Sequence, residues 1–153
     1  MAAEASINLS GITEVQEFLN RLNGDIFSKS LMGEIGAFIS FTIKKRTMEG
    51  VDVDGSLFAP YSPSYALFRR EKGRSTKVNL FFTGSMLSSM TWSSNKNEVR
   101  VYFLNTSDSS GSSNPKKAFF LNQSRNFFAL SEDDIDKVVE TIENYYADVI
   151  ERG

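Results

Sequence analysis

Apolar positions recur along the chain at two spacings, and the spacing predicts the elements. Behind a Thr13 and Gln16 capping pair, Val15, Phe18, Leu19 and Leu22 fall three and four apart, predicting a helix over Ile12 to Asn23 that Gly24 stops. Leu31, Ile35, Phe38, Ile39, Thr42 and Ile43 form a longer stripe broken by Glu34, Ser40, Lys44 and Lys45, which predicts a second helix beginning near Ser30. Its last turn carries Lys44, Lys45 and Arg46, suited to the negative end of a helix dipole, and Gly50 follows. Pro63 directly after Ser62 is the arrangement that opens a helix, so a short third one runs from Pro63 to about Glu71 and ends at Gly73.

The spacing then changes. Val78 to Phe82 is apolar and β-leaning, and Thr83-Gly84 opens a short helical turn carrying Met86, Leu87 and Met90. Met90 to Ser94, the polar Asn95-Lys96-Asn97 and Glu98 to Leu104 read as a hairpin, with Val99, Val101 and Phe103 on one face and Arg100, Tyr102 and Leu104 on the other. Asn105 to Lys117 is polar throughout, with nothing apolar to anchor it, and is expected as a mobile loop. Ala118 to Leu121 reads as a further strand. Ser131 with Asp134 caps a final helix whose stripe is Ile135, Val138, Val139, Ile142, Tyr145, Tyr146 and Val149. This order predicts one α+β domain over residues 1–153, with an antiparallel-rich sheet packed by N-terminal helices and a long C-terminal helix.

Composition narrows the chemistry. The chain has no cysteine and no histidine, which removes disulfides, thiolate nucleophiles, serine–histidine catalysis and the commonest zinc ligands. An enzyme built from it would have to use carboxylates, lysine or tyrosine. Asp52-Val53-Asp54-Gly55 suggests a calcium loop, but with Gly55 at the sixth position of an EF-hand the first and twelfth positions fall to Gly50 and Tyr61, which bring no carboxylate. Neither a cofactor nor a metal is expected. Met1 to Ser10 lacks the basic and apolar regions of a secretory signal, and apolar runs are too short for a membrane span, so the protein is expected to stay where it is made.

The formal net charge of -2 is unevenly placed. Lys44 to Lys77 holds eight bases (Lys44, Lys45, Arg46, Arg69, Arg70, Lys72, Arg74, Lys77) against four acids, +4, whereas Ser131 to Gly153 holds eight acids against Lys137 and Arg152, -6. Neighbouring copies could therefore meet head to tail through complementary potentials, unless both segments are simply solvated faces. The basic segment could instead make non-specific phosphate contacts with DNA, although an acidic chain suits that poorly. Candidate contact residues are Lys44, Lys45, Arg46, Arg69 and Arg70 from this segment, Lys116 and Lys117 beside the loop, and Arg125, Phe127 and Phe128. The pairs Phe119-Phe120 and Phe127-Phe128 are either interface anchors or core. Asp136, Glu140 and Glu143 can share a helix face, as carboxylates of a hydrolase would or as a solvated face does.

Three spaced stretches resemble the tailed-bacteriophage virion-morphogenesis family of tail-completion and neck proteins. They are Val53-Asp54-Gly55 followed by Phe58-Ala59-Pro60-Tyr61-Ser62-Pro63-Ser64-Tyr65-Ala66, then Leu80-Phe81-Phe82-Thr83-Gly84-Ser85-Met86-Leu87-Ser88-Ser89-Met90, then Arg125-Asn126-Phe127-Phe128-Ala129-Leu130-Ser131-Glu132-Asp133-Asp134. The likeness covers roughly Glu34 to Ile150 and keeps the order. It departs at Leu121, Asn122 and Ser124, where the family often has a histidine and a glycine, and at Asn126, where proline is usual.

The resemblance implies a non-enzymatic structural protein in the virion neck or tail end, assembled in the host cytoplasm. Its copies would form a ring matched to a sixfold tail and touch tail-tube and head-connector proteins. Tail completion is the expected role. A tail-terminator ring is the alternative, and a carboxylate-dependent hydrolase a more distant one.

Overall fold

A computed structural model of the chain describes residues 6–8, 29–80, 84–95 and 98–152. The helix expected over Ile12 to Asn23, the second half of Val78 to Phe82 and most of the hairpin turn lie outside these residues. The elements are β1 (Ser6–Asn8), α1 (Lys29–Met48), α2 (Pro63–Glu71), α3 (Ser85–Ser88), β2 (Met90–Ser94), β3 (Val99–Phe103), α4 (Asn114–Ser124) and α5 (Glu132–Arg152). The fold is α+β, as the pattern predicts. Its sheet has the order β1-β3-β2, with β1 antiparallel to β3 so that Ile7 lies opposite Val101. Backbone contacts group the chain into two compact units, one built from 43–90 and 103–129, the other from 6–42, 91–102 and 130–153.

The second of these holds the sheet, most of α1 and α5. Along α1, Leu31, Ile35 and Ile39 repeat every four residues and are fully buried with Met32. Along β3 the alternation is strict, Val99 and Val101 being buried and Arg100 exposed, as a strand with one covered face requires. On α5, Val138, Ile142 and Tyr146 are buried at the same four-residue interval. Removing each such side chain from water stabilises the fold by roughly 1.5–3 kcal/mol. The helix starts as its sequence says: Ser131 Oγ accepts from Asp134 N at 3.1 Å, and Asp134 Oδ2 accepts from Ser131 N at 3.0 Å.

The first unit begins with the end of α1, where Ile43 and Thr47 continue the buried line. The helix stops at Gly50, whose φ of +83° lets its N–H reach Thr47 O at 3.0 Å while Val51 N reaches Arg46 O at 3.2 Å. A Cβ there would meet the Val78 carbonyl oxygen at 3.0 Å, so glycine is required twice over. The end of α2 repeats this closure around Gly73, with Gly73 N on Arg70 O at 3.0 Å and Arg74 N on Arg69 O at 2.8 Å.

In this unit the polar loop ends earlier than expected, and one expected strand is helix. Asn105 to Ser113 is a loop in which an antiparallel bridge joins Ser107 to Ser113. Asn114 to Lys117 is already the first turn of α4, capped by Ser113 Oγ on Lys116 N at 3.4 Å with Pro115 in that turn. The stretch from Ala118 to Leu121 is therefore helix, not strand; its aromatic run masked a cap-then-proline opening of the kind that starts α2. Asn114 is fully buried and ties α4 to its surroundings, its Nδ2 donating to Ser85 Oγ at 3.0 Å and Thr106 Oγ1 at 2.9 Å.

Candidate functional site

A cleft of about 510 Å³ opens within the first unit. One wall is α2 with the two residues before it, and is organised by arginine. Ser62 caps α2, its Oγ accepting from Tyr65 N at 3.3 Å, which sets Tyr61 and Tyr65 edge to face with centroids 4.9 Å apart. The Arg69 guanidinium lies 4.8 Å from the Tyr61 centroid and that of Arg125 lies 5.3 Å from it, so two cations share one ring. Arg69 is only 1% exposed, and its Nε donates to Ser75 O at 2.7 Å. Arg125 holds the chain before Tyr61: its Nε and one terminal nitrogen donate to Ala59 O at 3.2 and 3.1 Å, and the same terminal nitrogen donates to Pro60 O at 3.2 Å. The other terminal nitrogen has no hydrogen-bond partner among the described residues.

The opposite wall comes from α4 and the loop before it. Lys117 and Leu121 lie one turn apart on α4, and Lys117 Nζ forms an ion pair with Asp108 Oδ2 at 2.7 Å. That hydrogen bond, with those from Ser110 and Ser112, holds the Asp108 carboxyl far below the usual carboxylate range. Leu80 and Met86 supply the apolar floor. Leu80 is buried with φ +56°, a left-handed conformation that costs a branched side chain on the order of 1–3 kcal/mol. Among the described residues, the cleft lining carries three cations (Arg69, Lys117, Arg125) against one carboxylate already paired with one of them.

The same turn is built twice in this unit, at Asp52 to Ser56 and at Asp108 to Ser112. In the first, Asp52 N donates to Ser56 O at 2.8 Å, Gly55 N to Asp52 O at 3.1 Å, and Oδ1 accepts from Asp54 N and Ser56 N at 2.9 Å. In the second, Asp108 N donates to Ser112 O and Gly111 N to Asp108 O, both at 3.0 Å, while Oδ1 accepts from Ser110 N at 2.9 Å and Ser112 N at 3.1 Å. The glycines have φ of +86° and +85°, and antiparallel bridges Val51 to Leu57 and Ser107 to Ser113 close each turn. Each is an Asp-x-x-Gly-Ser hairpin in which carboxylate oxygens satisfy backbone N–H groups. The second copy positions Asp108 at the cleft.

The predicted contact residues separate into three kinds. Phe127 and Phe128 are buried at 0% and 6% exposure and stack around Phe103, with centroids 6.2 and 4.9 Å from it, so they are core and offer no surface to a partner. Arg46 serves the same segment, its terminal nitrogen 2.7 Å from Ala129 O and 3.4 Å from Phe127 O. Arg69 is likewise a buried wall residue rather than a surface cation. Lys44 is part-buried, which lowers its ammonium pKa. Lys117 and Arg125 come together at the cleft. Lys45, Arg70 and Lys116 are exposed, away from the lining. The exposed aromatic pair is Phe119-Phe120, the latter at 63%.

Asp136, Glu140 and Glu143 are exposed on α5. No group of three or more acidic side chains among the described residues is arranged to hold a metal ion. Tyr61, Tyr65 and Leu80 had no functional signal in the sequence beyond their place in the quoted stretches. Comparison of the chain with protein-family models, curated proteins and solved structures gives no match. None of the described helices is long and apolar enough to cross a membrane.

Proposed function

We propose that this chain is a structural protein of the tailed-bacteriophage head–tail junction, completing the tail end as a ring and receiving the head. The observation that carries this is convergence. Each of the three stretches that resemble the virion-morphogenesis family contributes to the same cleft: Tyr61, Ser62 and Tyr65 from the first, Leu80, Gly84, Ser85 and Met86 from the second, Arg125 from the third. A recess lined by apolar and aromatic side chains with a few convergent polar groups is the usual form of a binding site. Among the described residues that line the cleft there is a single carboxylate, held in an ion pair, whereas carboxylate hydrolysis uses two.

Charge supports association between copies. Glu132, Asp133, Asp136, Glu140, Glu143 and Asp148 are exposed on α5, while Lys45, Arg70, Lys72, Arg74 and Lys77 are exposed in the other unit. Unlike patches on different parts of one chain give a heterologous contact, which closes into a ring when the rotation fits.

The test is electron microscopy of lysates from a phage whose copy of this reading frame is deleted. Filled, tailless heads beside headless tails of normal length are expected. Tails of uncontrolled length would favour the terminator ring, and intact infectious virions would refute both.

A further inference from the structure

We infer that the cleft is a docking site for a short extended segment of a partner protein that carries one carboxylate beside an apolar side chain. The lining sets the stoichiometry of charge. Lys117 is neutralised by Asp108 at 2.7 Å, and the Arg69 guanidinium is built into the wall over Tyr61. Arg125 spends Nε and one terminal nitrogen on the carbonyls of Ala59 and Pro60, which leaves the second terminal nitrogen able to meet one anionic oxygen. Apart from Gly84 and the hydroxyls of Ser62 and Ser85, the rest of the lining is apolar or aromatic: Leu80, Met86, Leu121 and the faces of Tyr61 and Tyr65. A polyphosphate or nucleic-acid backbone would leave that floor uncovered and would meet too few uncommitted cations.

Exposed apolar side chains on the same helices, outside the lining itself, favour a ligand that is part of a macromolecule. The helices bounding the cleft also carry exposed apolar side chains, Leu67 and Phe68 on α2 and Phe119 and Phe120 on α4, which a small metabolite within about 510 Å³ would not cover. A peptide segment leaving the cleft along either helix would. Aromatic anchors around a recess holding a charged group are the composition of a protein interface centre. This inference stands apart from the virion role, since it specifies the chemistry of the segment and not the particle that supplies it.

The probe is the blocked peptide acetyl-Leu-Glu-Phe-amide, titrated into the full chain and followed by backbone and methyl NMR shifts, beside its isosteric partner acetyl-Leu-Gln-Phe-amide. Saturable shifts at Tyr65, Met86, Lys117 and Leu121 are expected, with the glutamine peptide weaker by about tenfold or more, the loss of one charge-assisted hydrogen bond. Arg125→Gln should weaken the acidic peptide similarly and Arg125→Lys less. The glutamine peptide on the unaltered chain keeps the test valid if Arg125→Gln loosens the wall. Equal binding of the two peptides, shifts elsewhere only, or displacement of the peptide by inorganic phosphate or oligothymidylate at equal concentration would overturn the inference.

Discussion

Trp92 lies across Gly36 with no space for a side chain between them: a Cβ on Gly36 would sit 2.8 Å from both Cδ2 and Cε3 of the indole. One turn earlier on α1, a Cβ on Gly33 would be 3.5 Å from Cη2 of the same ring, an ordinary contact. Glycine thus has opposite roles at two neighbouring positions of one helix.

Gly33→Ala should stabilise the protein by up to about 1 kcal/mol, because helix propensity improves without a clash. Gly36→Ala should destabilise it, because overpacking against the indole costs about 1–3 kcal/mol and outweighs that gain. Urea midpoints at constant slope measure both, and a shift of the same sign in the two variants would contradict the packing of Trp92 on α1.

The two aromatic pairs should respond very differently. Phe127→Ala is expected to cost about 3–5 kcal/mol, a large part of the stability of a domain this size, since it empties a fully buried site beside Phe103 and Phe128. Phe120→Ser should stay within about 0.5 kcal/mol, because that ring is 63% exposed. Denaturant unfolding of the two variants checks this, and comparable losses would place Phe120 in the core.

Acid sensitivity has a specific source. The Asp108 carboxyl is held below its ordinary pKa first by Lys117, so the native state favours its ionised form. The stabilisation is complete above about pH 5 and is lost as pH falls through the ordinary carboxylate value near 4 toward the lower native one. Asp108→Asn keeps an oxygen to accept from Ser110 and Ser112 but removes the ion pair. The variant should be less stable than wild type at about pH 6, and the gap should close on acidification. Thermal melts across that range test it; a gap that does not change with pH would remove the ion pair as its cause.

Much of the architecture is legible in the residues. The four-residue interval of Leu31, Ile35 and Ile39, the Ser62-Pro63 opening of α2, the Val99–Val101–Phe103 alternation and the Ser131–Asp134 box each specify a local hydrogen-bond or burial pattern, and each element forms where they place it. Within Asn105 to Ser113 a carboxylate satisfies backbone N–H groups, which hydrophobic patterning does not register; the repeated Asp-x-x-Gly-Ser was the available signal. Ala118 to Leu121 was misleading because strand and helix are not separated by a short apolar run, and the deciding cap lay upstream at Ser113.

The cleft itself was out of reach of local reasoning. Tyr61 and Arg125 are far apart in sequence, and charge counting treats Arg46 and Arg69 as surface cations although the fold spends both on backbone carbonyls. A guanidinium with five donors can be a structural clamp as readily as a docking group, and only its partners distinguish the two.

The most direct test of the central claim, that this chain joins heads to tails as a stoichiometric structural part, is in vitro complementation of a deletion lysate with purified protein, counting tailed particles by electron microscopy against protein added. Joined particles should rise in proportion to protein and level off only when a fixed number of copies, greater than one, is incorporated per particle. Full joining by protein present in far fewer copies than particles, or none at any concentration, would contradict it.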